Sequence, residues 1–144
     1  MQSLNKNLEK NITFRAGFEK KVEERYQQLI SKYEKYGELY NMSLDEVLSE
    51  YDLSLEIVKQ NARTFQLEWE LVKYYIEKGE ITIDESELEK DKQKYAIENG
   101  YQTVQELIKD SGEQYLLEEV LVGKMKDYVY EKYVGEINRN ECTN

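Results

Sequence analysis

An all-α fold, built of long amphipathic helices joined by short capped ones in an open arrangement rather than a closed bundle, is predicted by three features of the sequence. The 144 residues contain no proline. Apolar residues recur at three- and four-residue steps instead of alternating. Residues that start and stop helices stand at the ends of those periodic stretches. With 40% hydrophobic and 35% charged residues, the chain is long enough to bury the core of one domain.

Residues 1–13 are polar and asparagine-rich, with Leu4, Leu8 and Ile12 spaced by four, and read as a polar lead-in or frayed helix. A helical domain is expected over 14–138. Its first segment, 14–40, carries Phe18, Val22, Tyr26, Leu29, Tyr33, Tyr36 and Tyr40 on one face. A seam so rich in tyrosine suits half-buried positions and groove walls, because the ring buries area while the hydroxyl needs a partner or water. A packed helix edge is the plainer reading of the same seam. Gly37 is the weak point, a bend or an end.

Ser43 and Glu46 have the spacing of a capping box, which opens a short helix from Leu44 to about Tyr51. Ser54 then caps a long helix that ends before Gly79, roughly 36 Å at 1.5 Å per residue. Val58, Ala62, Phe65, Trp69, Val72 and Ile76 step along its face as a seam. A helix of this length is expected to act as a brace for the long helices before and after it. An Ile81-Thr-Ile-Asp84 connector follows, and Asp84 caps a helix over 85–99 whose stripe of Leu88, Tyr95 and Ala96 is thin. That helix is expected to lie across the outside of the others and to stop at Asn99-Gly100. Thr103 and Glu106 form a second capping box ahead of Val104, Leu107 and Ile108, and Ser111-Gly112 breaks the helix. The last helix, 113–138, places Leu117, Leu121, Met125 and Val129 at steps of four, with Val120, Tyr128, Val134 and Ile137 widening the face. Residues 139–144 read as a disordered tail.

Charge and residue type exclude much of chemistry. Twenty basic against thirty acidic residues leave a net charge of −10, which repels a nucleic-acid backbone. No apolar run approaches the ~18 residues of a membrane span. The absence of histidine removes histidine-based triads and histidine metal sites. No phosphate-binding glycine motif occurs, and Cys142 stands alone in a polar tail. The chain is therefore read as a non-enzyme, without metal or cofactor. Thirteen tyrosines, three phenylalanines, one tryptophan and three methionines remain, and surfaces of that kind accept varied apolar side chains. An acidic rim favours basic partners over acidic ones.

The order of segments resembles the C-terminal chaperone domain of bacterial trigger factor, of the SurA and PrsA type of helical peptide-binding domains. The likeness runs over about 12–137. It is carried by Tyr33-Glu-Lys-Tyr-Gly37, Asn41-Met-Ser-Leu-Asp-Glu-Val-Leu48 and Leu53-Ser-Leu-Glu56, then the long helix. Ile81-Thr-Ile-Asp-Glu-Ser-Glu-Leu88, Lys94-Tyr-Ala96, Glu98-Asn-Gly-Tyr101 and Lys124-Met-Lys-Asp-Tyr-Val129 complete it. The resemblance implies helical arms around a cradle that holds unfolded or nascent polypeptide without ATP, metal or cofactor. The family's ribosome-docking loop and prolyl isomerase domain have no counterpart in these residues, and the Ile-Pro that opens its domain is replaced around Ile12-Thr-Phe14, so neither ribosome docking nor isomerase activity is carried over. Composition and the resemblance together select Tyr36, Tyr40, Met42, Tyr51, Trp69, Tyr75, Tyr101, Tyr115 and Tyr128 as peptide-binding candidates. The alternative is a dimerisation or assembly module whose seams pair with a second copy. A cytoplasmic location is expected, or an extracytoplasmic one if a signal or lipoprotein anchor precedes Met1.

Overall fold

A computed structural model describes the backbone of residues 2–142 and the side chains of 15–137. It is all-α, with six helices and no strand among the described residues: α1 Gln2–Tyr40, α2 Leu44–Glu50, α3 Leu55–Glu77, α4 Glu85–Glu98, α5 Val104–Ser111 and α6 Glu113–Cys142. The polar lead-in is one helix with the segment that follows it, although its side chains lie outside the described residues. Of the expected tail, 139–142 continue α6, and 143–144 lie outside the described residues. The chain divides into two units, Met1–Leu67 and Glu68–Asn144, and the boundary falls inside α3.

In the first unit side chains of α1 meet side chains of the first part of α3. Val22 of α1 and Val58 and Ala62 of α3 are buried. Polar and aromatic groups carry the remainder. Arg63 Nη2 reaches both carboxylate oxygens of Glu19 at 2.7 and 2.8 Å, and Lys59 pairs with Glu23 at 3.4 Å. These two pairs place the higher-numbered α3 residue on the lower-numbered α1 residue. The Arg25 guanidinium lies 4.7 Å from the centre of the Phe65 ring, and its Nε donates to Oε1 of Gln66, which is fully buried. Gln66 stands beside the predicted seam, and a hydropathy pattern alone gives no reason to bury it.

Gly37 does not end α1, which runs on to Tyr40. The glycine is buried inside the helix, where a Cβ would stand 2.5 Å from the Met42 carbonyl oxygen and 3.3 Å from Val47 Cγ2. Only a residue without a side chain lets the α1–α2 turn fold back this closely. Asn41 makes the turn with φ 55°, and the Met42 amide bonds back to the Gly37 carbonyl at 2.8 Å. Asp52 repeats the device after α2 with φ 54°, as the Leu53 amide reaches the Leu48 carbonyl at 2.8 Å. The Ser43 capping box forms as predicted, with Glu46 N donating to Ser43 Oγ at 3.2 Å and Ser43 N to Glu46 Oε2 at 2.9 Å. Ser54 caps α3 by accepting from Ile57 N at 3.2 Å.

In the second unit α3 stops at Gly79, φ 72°, and α4 at Asn99-Gly100, with φ 85° at the glycine. Both ends close the same way: the Glu80 amide bonds the Tyr75 carbonyl and the Tyr101 amide bonds the Ala96 carbonyl, at 3.0 and 2.9 Å. Asp84 caps α4 through Glu87 N at 3.0 Å. Thr103 caps α5 through Glu106 N at 3.2 Å, but the Glu106 carboxylate accepts from Gln102 N instead of completing the box on Thr103. Helices α4, α5 and α6 share a core of Ala96, Leu107, Leu116 and Val120, with Leu88, Tyr95, Tyr101, Val104 and Ile108 packed against it. The thin stripe of α4 thus packs into this core, while most of the remaining helix is exposed. Burial of Leu107 and Leu116 contributes about 1.5–3 kcal/mol each.

Helix α6 departs from its predicted single stripe. Leu116, Val120, Leu121, Val122 and Met125 are buried together with Glu118, so more than one face is covered. Val129 and Ile137 are exposed, and Leu117 is half-buried. The spacing of four found the helix but followed one face, whereas its first half is covered on more than one.

Candidate functional site

The tyrosine-rich seam of α1 leads to the α1–α2 turn, where the first unit gathers four rings. Tyr36 stands 4.6 Å from Tyr40 and 5.8 Å from Tyr51, centre to centre, and Tyr33 is 6.4 Å from Tyr51. The last contacts are tilted or edge-on, the geometry that ring quadrupoles favour. Three candidates, Tyr36, Tyr40 and Tyr51, therefore meet. The Tyr36 hydroxyl is held by Tyr51, which together with burial and the charge of Glu50 pushes its pKa up to about 12. Tyr36 is half-buried, while Tyr40 and Tyr51 are 62% and 50% exposed. Beside them Leu39 is 81% exposed. Met42 is half-buried in the turn itself.

The second unit holds the other candidates in two separate neighbourhoods. Tyr75 of α3 meets Tyr128 of α6 edge-on at 5.4 Å, and Tyr74 meets Tyr75 at 5.5 Å. Burial, followed by a hydrogen bond to Glu80, raises the Tyr128 phenol. Lys132 lies 6.0 Å from the Tyr128 ring centre and 4.0 Å from Glu80. Tyr101 and Tyr115 belong instead to the α4–α6 core region. The Tyr101 hydroxyl bonds Asp110, which is the leading cause of its raised pKa. Burial above all, and then the charge of Glu119, pushes the Tyr115 phenol far up. Trp69 is half-buried.

A shallow depression of about 680 Å³ opens between α2 and α3 of the first unit. Leu53, Leu55 and Ile57 give it apolar lining, and Asp45, Asp52 and Glu56 give it carboxylates; among the described residues no lysine or arginine lines it. Leu55 and Ile57 are 46% and 44% exposed.

Leu39, Leu55 and Ile57 were not among the residues that the sequence selects, because selection followed aromatic rings on the seams. Their signal is a large aliphatic residue standing off the seam of its helix, close to a cap. Among the described residues no three acidic, cysteine or histidine side chains converge as metal ligands, and no helix is long and apolar enough to cross a membrane. Compared with protein-family models, with curated proteins and with solved structures, the chain gives no significant match.

Proposed function

We propose that the chain is an ATP-independent holdase module that binds unfolded or nascent polypeptide in the cytoplasm, similar to the chaperone domain of trigger factor. One observation carries the reading: Tyr40 and Tyr51, both exposed, pack on Tyr36 at the α1–α2 turn, where Leu39 is exposed as well. Rings held by their neighbours present apolar area that loses little side-chain freedom when a partner settles on it. The order of sequence motifs supports the same reading.

The test is suppression of aggregation when a chemically denatured client is diluted with stoichiometric amounts of the chain. Suppression is expected, and replacing Leu39, Tyr40 and Tyr51 together by serine weakens it several-fold while helicity is kept, since all three are exposed. No suppression together with no binding of the denatured client overturns the proposal.

A second reading is favoured by Val129, Tyr133 and Ile137 of α6, spaced by four and 38%, 64% and 40% exposed, with Tyr130 beside them at 69%. Such a stripe suits a helix–helix dimer. Light scattering across a dilution series separates the readings: a mass that stays at two copies, coupled with no client binding, favours assembly.

A further inference from the structure

We propose that the depression between α2 and α3 docks an extended polypeptide segment carrying two neighbouring apolar side chains flanked by lysine or arginine. The inference rests on the polypeptide-binding reading above and gives it a site and a sequence preference separate from the tyrosine cluster. Shape and charge select the occupant together. The depression, about 680 Å³, has room for a few side chains. Leu53 is half-buried and Leu55 and Ile57 are nearly half exposed, so apolar side chains settling there remove existing apolar area from water.

The carboxylates decide the sign of the flanking residues. Asp45, Asp52 and Glu56 line the site, and none of them forms an ion pair among the described residues. Glu19 and Glu23 of the same unit, by contrast, are matched by Arg63 and Lys59. Two of the three carboxylates have a second explanation, because Asp45 and Glu56 stand in the first turns of α2 and α3, where negative charge steadies a helix. Asp52 lies between the helices and closes α2 in the left-handed region, which aspartate tolerates better than most L residues. The amide of Ile57 is already taken by Ser54 Oγ, so the start of α3 offers less to an anion than a bare helix end does. A segment with negative flanks meets three carboxylates at close quarters, and one with positive flanks finds three counter-charges.

The experiment uses the full chain and two labelled, unstructured peptides that share a Leu-Leu centre, one flanked by lysines and the other by glutamates, read by fluorescence anisotropy. The lysine peptide is expected to bind about tenfold more tightly, equivalent to ~1.4 kcal/mol. The triple variant Asp45→Asn, Asp52→Asn, Glu56→Gln abolishes that preference. The variant Leu55→Ser, Ile57→Ser weakens both peptides, and retained helicity by circular dichroism shows that both proteins are folded. Equal binding of the two peptides, or an undiminished preference in the triple variant, overturns the proposal. If neither peptide binds and Leu55→Ser, Ile57→Ser converts a dimer into a monomer in sedimentation, the depression is a contact between copies and the proposal also falls. The aggregation assay keeps the two readings apart. Peptide preference without suppression removes the holdase reading alone, and suppression unaffected by the triple variant, with no peptide preference, removes the docking site alone.

Discussion

In the first unit, α1 meets α3 through Val22, Val58 and Ala62 and a run of charged and aromatic groups: Arg63 on Glu19, Lys59 on Glu23, Arg25 between Phe65 and Gln66. In the second, α4, α5 and α6 meet through Ala96, Leu107, Leu116 and Val120. Both interfaces come from the same three- and four-residue spacing. The periodicity says which face of a helix is covered, and the residues beside the seam decide what kind of cover it is. Small seam residues such as Ala62 leave space that long cationic side chains can cross, with their stems against rings and their heads on carboxylates. Leucines fill the equivalent space themselves.

Leu116→Ala tests the aliphatic side of this contrast and has the largest expected effect. Leu116 is fully buried in the shared core, so its truncation is expected to destabilise the chain by about 2–5 kcal/mol. Urea denaturation followed by circular dichroism measures it. A loss below about 1 kcal/mol would mean that the core readily collapses around the missing atoms and that aliphatic packing is not what holds the second unit.

Gln66→Ala tests the polar side. The residue is fully buried and accepts from Arg25 Nε, so its removal takes a charge-assisted bond from the interface. The expected cost is about 1–3 kcal/mol. Gln66→Leu restores the volume without the acceptor, and the contrast predicts that it does not rescue. If it did, the first unit would be an apolar interface with incidental polar neighbours.

Alkaline titration distinguishes Tyr36 from Tyr115 by the cause of their raised phenols. In the first unit the Tyr36 value, about 12, comes chiefly from its bond with Tyr51; in the second, Tyr115 is pushed up chiefly by burial. Each folded-state pKa lies above the unfolded value near 10, so the folded chain holds protons that the unfolded chain has lost. Their stabilising contribution is complete below about pH 10 and, for Tyr36, is lost as the pH rises through about 12. Tyr51→Phe should bring forward part of the late tyrosinate absorbance without altering the component that belongs to the buried α4–α6 region. A titration that Tyr51→Phe leaves unchanged would deny the Tyr36 bond.

Much of this was legible in the sequence because it rests on local rules. Ser43, Ser54, Asp84 and Thr103 each cap the helix they precede, and Gly79, Gly100 and Gly112 each take positive φ at a stop. What stayed hidden depends on partners distant in the chain. The Gly37 approach needs Met42 folded back on it, the burial of Gln66 needs Arg25, and the first half of α6 is covered on more than one face. Of the candidate site, the meeting of Tyr36, Tyr40 and Tyr51 follows from helix spacing and a short turn. The separation of Tyr101 and Tyr115 from it follows from core packing that tyrosine content cannot reveal.

The helix ends give the smallest and most local form of the contrast. The second unit closes α3 and α4 with glycines in the left-handed region, whereas the first closes α1 and α2 with Asn41 at φ 55° and Asp52 at φ 54°. The hydrogen bonds are alike, with the Met42 amide on the Gly37 carbonyl and the Leu53 amide on Leu48 matching Glu80 on Tyr75 and Tyr101 on Ala96. An L side chain in this region is strained by about 1–2 kcal/mol, less for asparagine and aspartate, whose short polar groups can bond locally. Glycine removes that strain but gives the unfolded chain more freedom, an opposing effect of about 0.4–1 kcal/mol. Asn41→Gly and Asp52→Gly are therefore each expected to change stability by no more than about 0.5 kcal/mol, toward stabilisation. Gly79→Ala, which adds strain with no local bond to relieve it, is expected to destabilise by about 1 kcal/mol. Paired thermal melts of the three variants decide the matter: a loss at Asn41→Gly as large as that at Gly79→Ala would show that the asparagine side chain, and not the backbone closure common to all four ends, holds the α1–α2 turn.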